Sequence, residues 1–170
     1  MDEKNLILRA KAGDKDAFCA LYGLYKDRLY RYAFYRLQNE DDAQDAVSDC
    51  VLSAFIQIGS LKKPEAFSGW IFRILYCECA KITKAQIRQR KNEDLSEMEN
   101  LLPSDMSADI EKTELQQALS ILKENEREIV LLSVIGGFNS KEIGKILDMT
   151  AGAVRSNLSR SLKKMKDFLG

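Results

Sequence analysis

Apolar side chains recur at steps of three and four residues along most of this 170-residue chain, and no segment shows a convincing alternation with a period of two. Residues 14–37 show the pattern over a long stretch. This spacing places apolar side chains on one face of a helix. The sequence therefore predicts an all-α protein. The apolar positions of that stretch include Phe18, Leu21, Tyr22, Tyr25, Leu29 and Tyr32.

Polar residues and a proline predict where the next helices begin. Asn39 is expected to cap a helix that runs to about Ile58, with Asp42 in the capping-box position. The segment "GSLKKPEAF" then breaks the pattern, and Pro64 suits the first turn of a further helix beginning near Glu65. That helix is expected to run to about residue 91.

The helical pattern fails between residues 92 and 109, in an acidic stretch with the second proline of the chain. A connection of this length within one compact domain is unusual. The sequence thus predicts two small helical domains, residues 1–91 and 110–170, joined by a flexible acidic linker. The second domain is expected to contain four helices, at 110–123, 124–135, 140–147 and 151–169.

Charge lies in blocks, although the chain holds 26 basic and 26 acidic side chains. Residues 61–91 carry eight basic and two acidic side chains, and residues 141–170 carry seven and three. Between them, residues 92–128 carry three basic and eleven acidic side chains. Basic blocks attract phosphate groups. These two basic blocks are therefore candidates for nucleic-acid contact.

The residue types argue against an enzyme. There is no histidine, the commonest general base and a frequent metal ligand. The cysteines do not have the spacing of a disulfide framework or a metal site, and we expect small buried thiols in a reducing compartment. No glycine-rich phosphate loop is present either. We therefore expect no metal, cofactor or small-molecule substrate. The cysteines are Cys19, Cys50, Cys77 and Cys79.

No run of about 18 apolar residues is present, so no membrane insertion is expected. The N-terminal segment carries acidic residues where a secretory signal would be basic. The sequence therefore predicts a cytoplasmic protein.

Residues 138–169 have the layout of a helix-turn-helix motif. Asn139 can cap a short helix, and Thr150 can cap a longer one after a three-residue turn. Gly144 supplies a small side chain where two helices cross closely. A motif of this kind predicts DNA binding without saying which kind of regulator carries it.

The last helix carries polar side chains between its apolar positions. Such donors and acceptors can reach base edges and phosphates in a major groove. The plainer interpretation is an exposed terminal helix whose last lysines only complement the helix dipole. The polar positions are Arg155, Ser156, Asn157, Ser159 and Arg160, and the lysines are Lys163, Lys164 and Lys166.

The second half resembles region 4 of sigma-70-type RNA polymerase sigma factors, most of all the extracytoplasmic-function (ECF) group. This resemblance is carried by "LKENEREIVLLSVIGGFNSKEIGKILDMTAGAVRSNLSRSLKKMKDFL". The first half resembles regions 2.1, 2.2 and 2.3 to 2.4 through "DAFCALYGLYKDRLYRYAFY", "DDAQDAVSDCVLSAF" and "FSGWIFRILYCECAKITK". The resemblance implies a transcription initiation factor that binds core RNA polymerase, recognises a promoter and opens its −10 element.

The resemblance also implies roles for particular residues. The β′ clamp helices of polymerase would be bound by Asp42, Asp45, Ser48, Asp49 and Leu52. The −10 element would be bound by Lys62, Lys63, Arg73, Tyr76, Cys77, Lys81 and Lys84. The −35 element would be bound by Thr150, Gly152, Arg155, Ser156, Asn157, Ser159, Arg160 and Lys163.

Further partners follow from the same resemblance. The apolar surface of the second domain would dock on the β flap of polymerase, and a cognate anti-sigma factor would hold the protein inactive. Six residues depart from the family pattern, and −10 specificity is therefore expected to be unusual. These residues are Ser48, Cys77, Lys81, Lys84, Asp148 and Asn157.

Two other interpretations of the sequence stay open. A stand-alone helix-turn-helix regulator with a helical dimerisation or sensor domain would explain residues 138–169 equally well. A helical adaptor that binds other proteins would explain the acidic helices but not the polar face of the last helix.

Overall fold

The computed structural model describes residues 2–96 and 113–170, without the side chains of 93–96. Every regular element in these ranges is helical, which confirms the predicted fold class. Two short 3-10 turns, Ile58–Ser60 and Pro64–Ala66, lie between the third and fourth helices. The helices are α1 (Glu3–Lys11), α2 (Lys15–Leu37), α3 (Glu40–Gln57), α4 (Phe67–Ser96), α5 (Glu114–Ser120), α6 (Glu124–Val134), α7 (Ser140–Leu147) and α8 (Ala151–Leu169).

Side-chain caps begin several helices where the sequence predicted them. Asn39, Asn139 and Thr150 cap α3, α7 and α8, and each accepts a hydrogen bond from the backbone N–H three residues on, at 2.9, 2.9 and 3.2 Å. Such bonds satisfy N–H groups that have no partner within the helix. The predicted bounds of α7 and α8 are confirmed as a result.

Three helices differ from the sequence-based expectation: α1, α4 and α5, the last of which also ends at Ser120 rather than at 123. Helix α1 was not predicted, because its apolar face is short; it buries Leu6, Ile7 and Ala10 and is capped by Asp2. Helix α5 begins at 114 rather than 110, because Thr113 is extended and forms a capping box with Gln116. Helix α4 ends at Ser96, five residues into the predicted linker. Residues 97–109 of that linker lie outside the described residues.

The first four helices share a core in which α3 contributes unusually small side chains. Its buried positions are Ala43, Ala46, Val47, Cys50 and Ala54. Small side chains allow α2 and α4 to approach α3 closely, and these are two of the most extensive helix contacts in the molecule. The large apolar side chains of α3 consequently lie on its other face.

The four cysteines lie in different surroundings. Cys50 and Cys79 are buried as predicted, whereas Cys77 is half-buried. The prediction was wrong for Cys19, which lies exposed on α2. Burial raises the pKa of Cys50 and of Cys79 to about 12. Both thiols are therefore protonated at neutral pH and unreactive.

Among residues 2–96 and 113–170, no helix combines the length and apolar character needed to cross a bilayer. The same part of the chain holds no group of three or more cysteine or acidic side chains arranged to bind a metal ion.

Candidate functional site

The helix-turn-helix motif is built around a close crossing of α7 and α8. Asp148 ends α7 in the left-handed conformation, with φ of 58°. Its N–H and that of Met149 both point to the carbonyl oxygen of Gly144. A Cβ atom at Gly144 would clash with the carbonyl oxygen of Met149. The glycine is therefore required by the approach of the turn to α7, as the sequence suggested.

Helix α8 presents one polar face to solvent. Its opposite side buries Val154, Ser161 and Met165 in the second domain. Asn157 is half-buried, and its amide donates to the carbonyl of Ala153 at 3.0 Å. The remaining predicted −35 residues are exposed: Thr150, Gly152, Arg155, Ser156, Ser159, Arg160 and Lys163.

Asn157 also positions a neighbouring cation. Its side-chain oxygen accepts a hydrogen bond from the Arg160 guanidinium at 3.2 Å. A guanidinium held in this way loses less rotamer freedom when it meets a phosphate or base edge. Asn157 therefore positions Arg160. Arg155 and Arg160 are more accessible to solvent than Asn157 itself.

The predicted −10 residues divide between a loop and one side of α4. Lys62 and Lys63 are exposed between the two 3-10 turns. Lys81 and Lys84 are exposed on α4, and Lys81 pairs with Glu78 at 3.1 Å. The loop and α4 therefore each present exposed lysines in the first domain.

Arg73, Tyr76 and Cys77 lie one to three turns nearer the start of α4 than Lys81 and Lys84. Tyr76 and Cys77 are half-buried. The Arg73 guanidinium stands 5.4 Å from the centre of the Tyr76 ring. It also donates a hydrogen bond to the carbonyl of Ile146, at the end of α7 in the second domain. Arg73 therefore contacts the helix-turn-helix motif as well as solvent.

Helix α3 carries the predicted polymerase-binding residues on its exposed side. Asp45, Ser48, Asp49 and Leu52 are all exposed. Asp42 differs, because it is half-buried and accepts a hydrogen bond from Gln86 of α4 at 2.6 Å. This hydrogen bond joins α3 to α4, so Asp42 has a structural role.

Two large apolar residues extend this surface beyond the predicted set. Ile56 is 72% exposed and Phe55 42% exposed, next to Leu52 at 60%. Phe55 meets Phe18 edge to face at 5.2 Å between ring centres. Residues 52, 55 and 56 share one side of a helix. The signal in the sequence was the row of small residues on the opposite face, which leaves no buried place for these side chains.

Two family models match this chain, in the order that the fold shows. Residues 21–90 match sigma-70 region 2, and residues 112–165 match sigma-70, region 4. The first match spans α3 and most of α4, and the second spans the helix-turn-helix motif. Together the two models cover α3 and most of α4 and α8, the helices that carry most of the predicted site residues.

Curated relatives resemble the chain over nearly its full length. The ECF RNA polymerase sigma factor SigW of Bacillus subtilis is 26% identical, over 98% of this chain and 96% of the relative. The ECF RNA polymerase sigma factor SigM of Mycobacterium tuberculosis is 28% identical, over 99% of this chain and 85% of the relative.

Two solved structures share the fold. CnrH, in complex with the cytosolic domain of CnrY, superposes with a TM-score of 0.75 at 20% identity, over 98% of this chain and 96% of CnrH. RpoE from Bartonella quintana, in complex with the anti-sigma factor NepR, superposes with a TM-score of 0.74 at 23% identity, over 89% of this chain and 96% of RpoE.

The fold is all-helical: a bundle formed by α1 to α4 is followed in the chain by the helices that contain the helix-turn-helix motif. With both family models matched in order, the chain belongs to the sigma-70 family, in its ECF group, and is an RNA polymerase sigma factor. The regulator and adaptor interpretations are not favoured, because neither explains the region 2 match at residues 21–90.

Proposed function

We propose that three exposed faces of this sigma factor bind three different partners. The outer face of α3 docks on the β′ clamp helices of core polymerase. The basic side of α4 and the loop at residues 61–63 hold the opened −10 element, and the polar face of α8 enters the −35 major groove. The protein acts without enzymatic chemistry, in the cytoplasm, where polymerase and DNA meet.

The observation that carries this proposal is the exposure of these faces on helices whose other sides are buried. Charged, amide and hydroxyl side chains on α8 suit phosphates and base edges. Lysines with a nearby aromatic ring suit single-stranded DNA, because cations follow the backbone and rings stack on unpaired bases. Exposed large apolar side chains on α3 suit burial against a partner protein.

The docking face is tested by measuring the affinity of fluorescently labelled protein for core polymerase. We expect Leu52→Ala combined with Phe55→Ala to weaken binding by roughly tenfold or more, because buried apolar contacts dominate protein interfaces. Leu24→Ala is the matched control, since Leu24 is 57% exposed on α2. Equal affinity for the double variant and the control would remove α3 from the polymerase interface.

The −35 face is tested by the retention of holoenzyme on promoter DNA at fixed salt. Arg155→Ala is expected to weaken retention about tenfold, as loss of a base or phosphate contact does. Lys141→Ala changes an exposed cation of α7 outside the proposed face and is expected to change retention little. If both variants behave alike, the cation at Arg155 acts only through overall charge.

The proposal includes two further contacts, with the β flap of polymerase and with an anti-sigma factor. We propose that the exposed apolar residues of the second domain, such as Leu115 and Val134, contribute to a surface for the β flap. We also propose a cognate anti-sigma factor, which the RpoE–NepR complex supports by its shared fold. Co-purification of a small protein with this chain from its host, released when polymerase is added, would identify it.

The departures from the family pattern bear on −10 specificity. We propose that Cys77 and Lys81 change which base is held, because a half-buried thiol and a cation replace the usual polar pair. Replacing both with Asn and Asp, respectively, is expected to shift the preferred −10 sequence in a promoter selection. An unchanged preference would show that these positions do not read bases.

A further inference from the structure

One side of α8 carries two consecutive hydrogen bonds that end at a cation of the proposed −35 face. The amide nitrogen of Asn157 donates to the carbonyl oxygen of Ala153 at 3.0 Å. The amide oxygen of Asn157 accepts from the guanidinium of Arg160 at 3.2 Å. Residues three and four positions apart are neighbours on a helix surface, so these three residues follow one another along the same side. The orientation of Arg160 is thereby tied to the backbone of α8.

Both ends of the Asn157 amide are fixed, because its two partners have opposite hydrogen-bonding character. A backbone carbonyl only accepts hydrogen bonds, and a guanidinium only donates them. A flipped amide would place its oxygen against the Ala153 carbonyl and its nitrogen against Arg160, and both hydrogen bonds would be lost. The Asn157 side chain therefore has one favourable orientation, in which its oxygen faces Arg160.

The place of Asn157 on α8 suits it to hold a neighbouring side chain rather than to read a base itself. Val154 and Ser161, three residues before it and four after it, are both buried, and Asn157 is half-buried. Asparagine recognises adenine by offering its amide oxygen and nitrogen together to one base edge. Here both atoms are already bound, to Ala153 and to Arg160.

Arg160 is exposed and keeps enough donors for a base. A guanidinium has five N–H donors in one plane, and the hydrogen bond to Asn157 uses one of those on Nη2. Guanine presents O6 and N7 in the major groove, and a bidentate contact from arginine to these two acceptors is the commonest specific contact with DNA. A guanidinium that is already held needs less ordering before it meets both acceptors.

We propose that Asn157 is a positioning residue for −35 recognition, which holds Arg160 so that it selects guanine at one position of the element. This inference rests on the proposed role of α8 and names the base that one of its cations reads. In the absence of the Asn157 amide, Arg160 would keep its charge but sample several rotamers, and it would meet phosphates as readily as a base edge. Phosphate contacts add affinity without sequence preference. Asn157 thus contributes to specificity more than to affinity.

The proposal is tested by selection of promoter DNA with a randomised −35 element and a constant −10 element, using holoenzyme that contains the full chain. Arg160→Ala is expected to abolish a preference for guanine at one position. Asn157→Ala should reduce the preference at that same position by about fivefold, because only the bidentate contact requires the freed side chain to be ordered. Preferences at the other positions should stay at their wild-type values. Alanine favours a helix, so this variant is expected to fold.

Two further variants separate the position of Arg160 from its charge. Asn157→Asp keeps an oxygen acceptor for Arg160 and should retain most of the guanine preference, although its negative charge lowers the affinity for DNA overall. Asn157→Ala added to Arg160→Ala should change no base preference further, because the side chain that Asn157 acts through is then missing.

The salt dependence of holoenzyme binding to the selected promoter gives a readout that does not depend on base preference. Arg160→Ala should reduce the slope of log K against log salt concentration by about one, as loss of a cation at the DNA surface does. Asn157→Ala should leave this slope unchanged, because it removes no charge. An equal reduction of the slope by both variants would contradict a role in orientation alone.

Three results of the selection would overturn the proposal. Asn157→Ala could leave the guanine preference at its wild-type value, or it could weaken the preferences at all positions equally, which would show a structural role in α8. It could also alter a different position from Arg160→Ala, which would show that Asn157 reads a base itself.

The same experiment distinguishes failure of this inference from failure of the proposed function. If Arg160→Ala changes no base preference while Arg155→Ala still weakens retention of promoter DNA, the inference is wrong and the −35 role of α8 stands. If neither substitution has an effect, the proposed −35 role of α8 is wrong as well.

Discussion

Asp148 occupies a backbone conformation that side chains rarely adopt, with φ of 58°. The left-handed region is strained for every residue with a Cβ atom, although Asp tolerates it better than most. The turn between α7 and α8 requires it, because two N–H groups converge on the carbonyl of Gly144. The sequence indicated an unusual turn at this position, and the structure shows that Asp148 takes the conformation that a glycine would take.

Asp148→Gly should therefore stabilise the second domain. We expect the free energy of unfolding to rise by about 0.5–1 kcal/mol, since relief of strain outweighs the added freedom of the unfolded chain. Urea denaturation measures it. Asp148→Ala keeps the strain and serves as the control. A glycine variant no more stable than the alanine variant would show that the backbone strain is negligible.

The ion pair of Glu126 and Lys164 should make stability depend on pH. The hydrogen bond from Lys164 and that from the backbone of Lys123 lower the pKa of Glu126 below its ordinary value of 4.5. A lowered carboxyl pKa contributes stability that is complete above pH 4.5 and is lost as pH falls through the folded-state pKa. Stability from this pair should thus disappear in acid.

Lys164→Met removes the pair while keeping the aliphatic stem. We expect the variant to be less stable than wild type at pH 7, and the difference to shrink below pH 4.5. Thermal unfolding across the pH range measures it. Lys163→Met, at an exposed neighbouring lysine, should show no such convergence. A stability difference between wild type and Lys164→Met that is constant with pH would show that Lys164 acts through packing rather than through its charge.

At the scale of elements, the crossing of α7 over the turn before α8 depends on a missing side chain. Gly144 lies inside a helix, where glycine is normally unfavourable. Glycine is required here because the Met149 carbonyl leaves no room for a methyl group. The angle between α7 and α8 follows from this contact.

Gly144→Ala should consequently destabilise the second domain by about 2–3 kcal/mol, because backbone rather than a movable side chain must shift. Gly23→Ala is the matched control in the middle of α2, where an added Cβ would meet nothing within 4 Å. That control should gain up to about 1 kcal/mol from helix propensity. Circular dichroism during denaturation measures both. A neutral Gly144 variant would show that the crossing is loosely packed.

The sequence predicted most elements because their signals are local. Asn139, Glu142 and Thr150 define the helix-turn-helix bounds through caps, and the structure confirms them. The predicted start of α5 was wrong because the helical pattern continued through Thr113, whereas Thr113 is extended and forms the capping box that begins the helix. Helix α1 was missed because its few apolar residues gain meaning only when packed on α2.

Long-range contacts were beyond the reach of pattern analysis. Arg36 and Glu128 are separated by 92 positions, and each also fits a solvated helix face by sequence alone. Asp42, which the resemblance implied as a docking residue, also accepts a hydrogen bond from Gln86 of α4, 44 positions away. Phe55 and Ile56 carry no sequence signal of their own for exposure, because apolar side chains are usually buried. Their exposure became clear only once α3 was seen to bury alanines.

At the scale of the whole molecule, the three proposed binding faces lie on three different helices. We propose that α3 serves polymerase docking, α4 serves −10 opening and α8 serves −35 recognition. The exposed side of each helix is available for its partner, because the opposite side is buried in the protein.

The most direct measurement is the mapping of transcript 5′ ends made by core polymerase on fragmented genomic DNA from the host, with and without this protein. We expect new start sites that appear only when the protein is present and share two sequence elements, near −10 and near −35. Arg155→Ala should weaken the dependence on the −35 element alone. An identical set of start sites with and without the protein would contradict its role as a promoter-selecting subunit of polymerase.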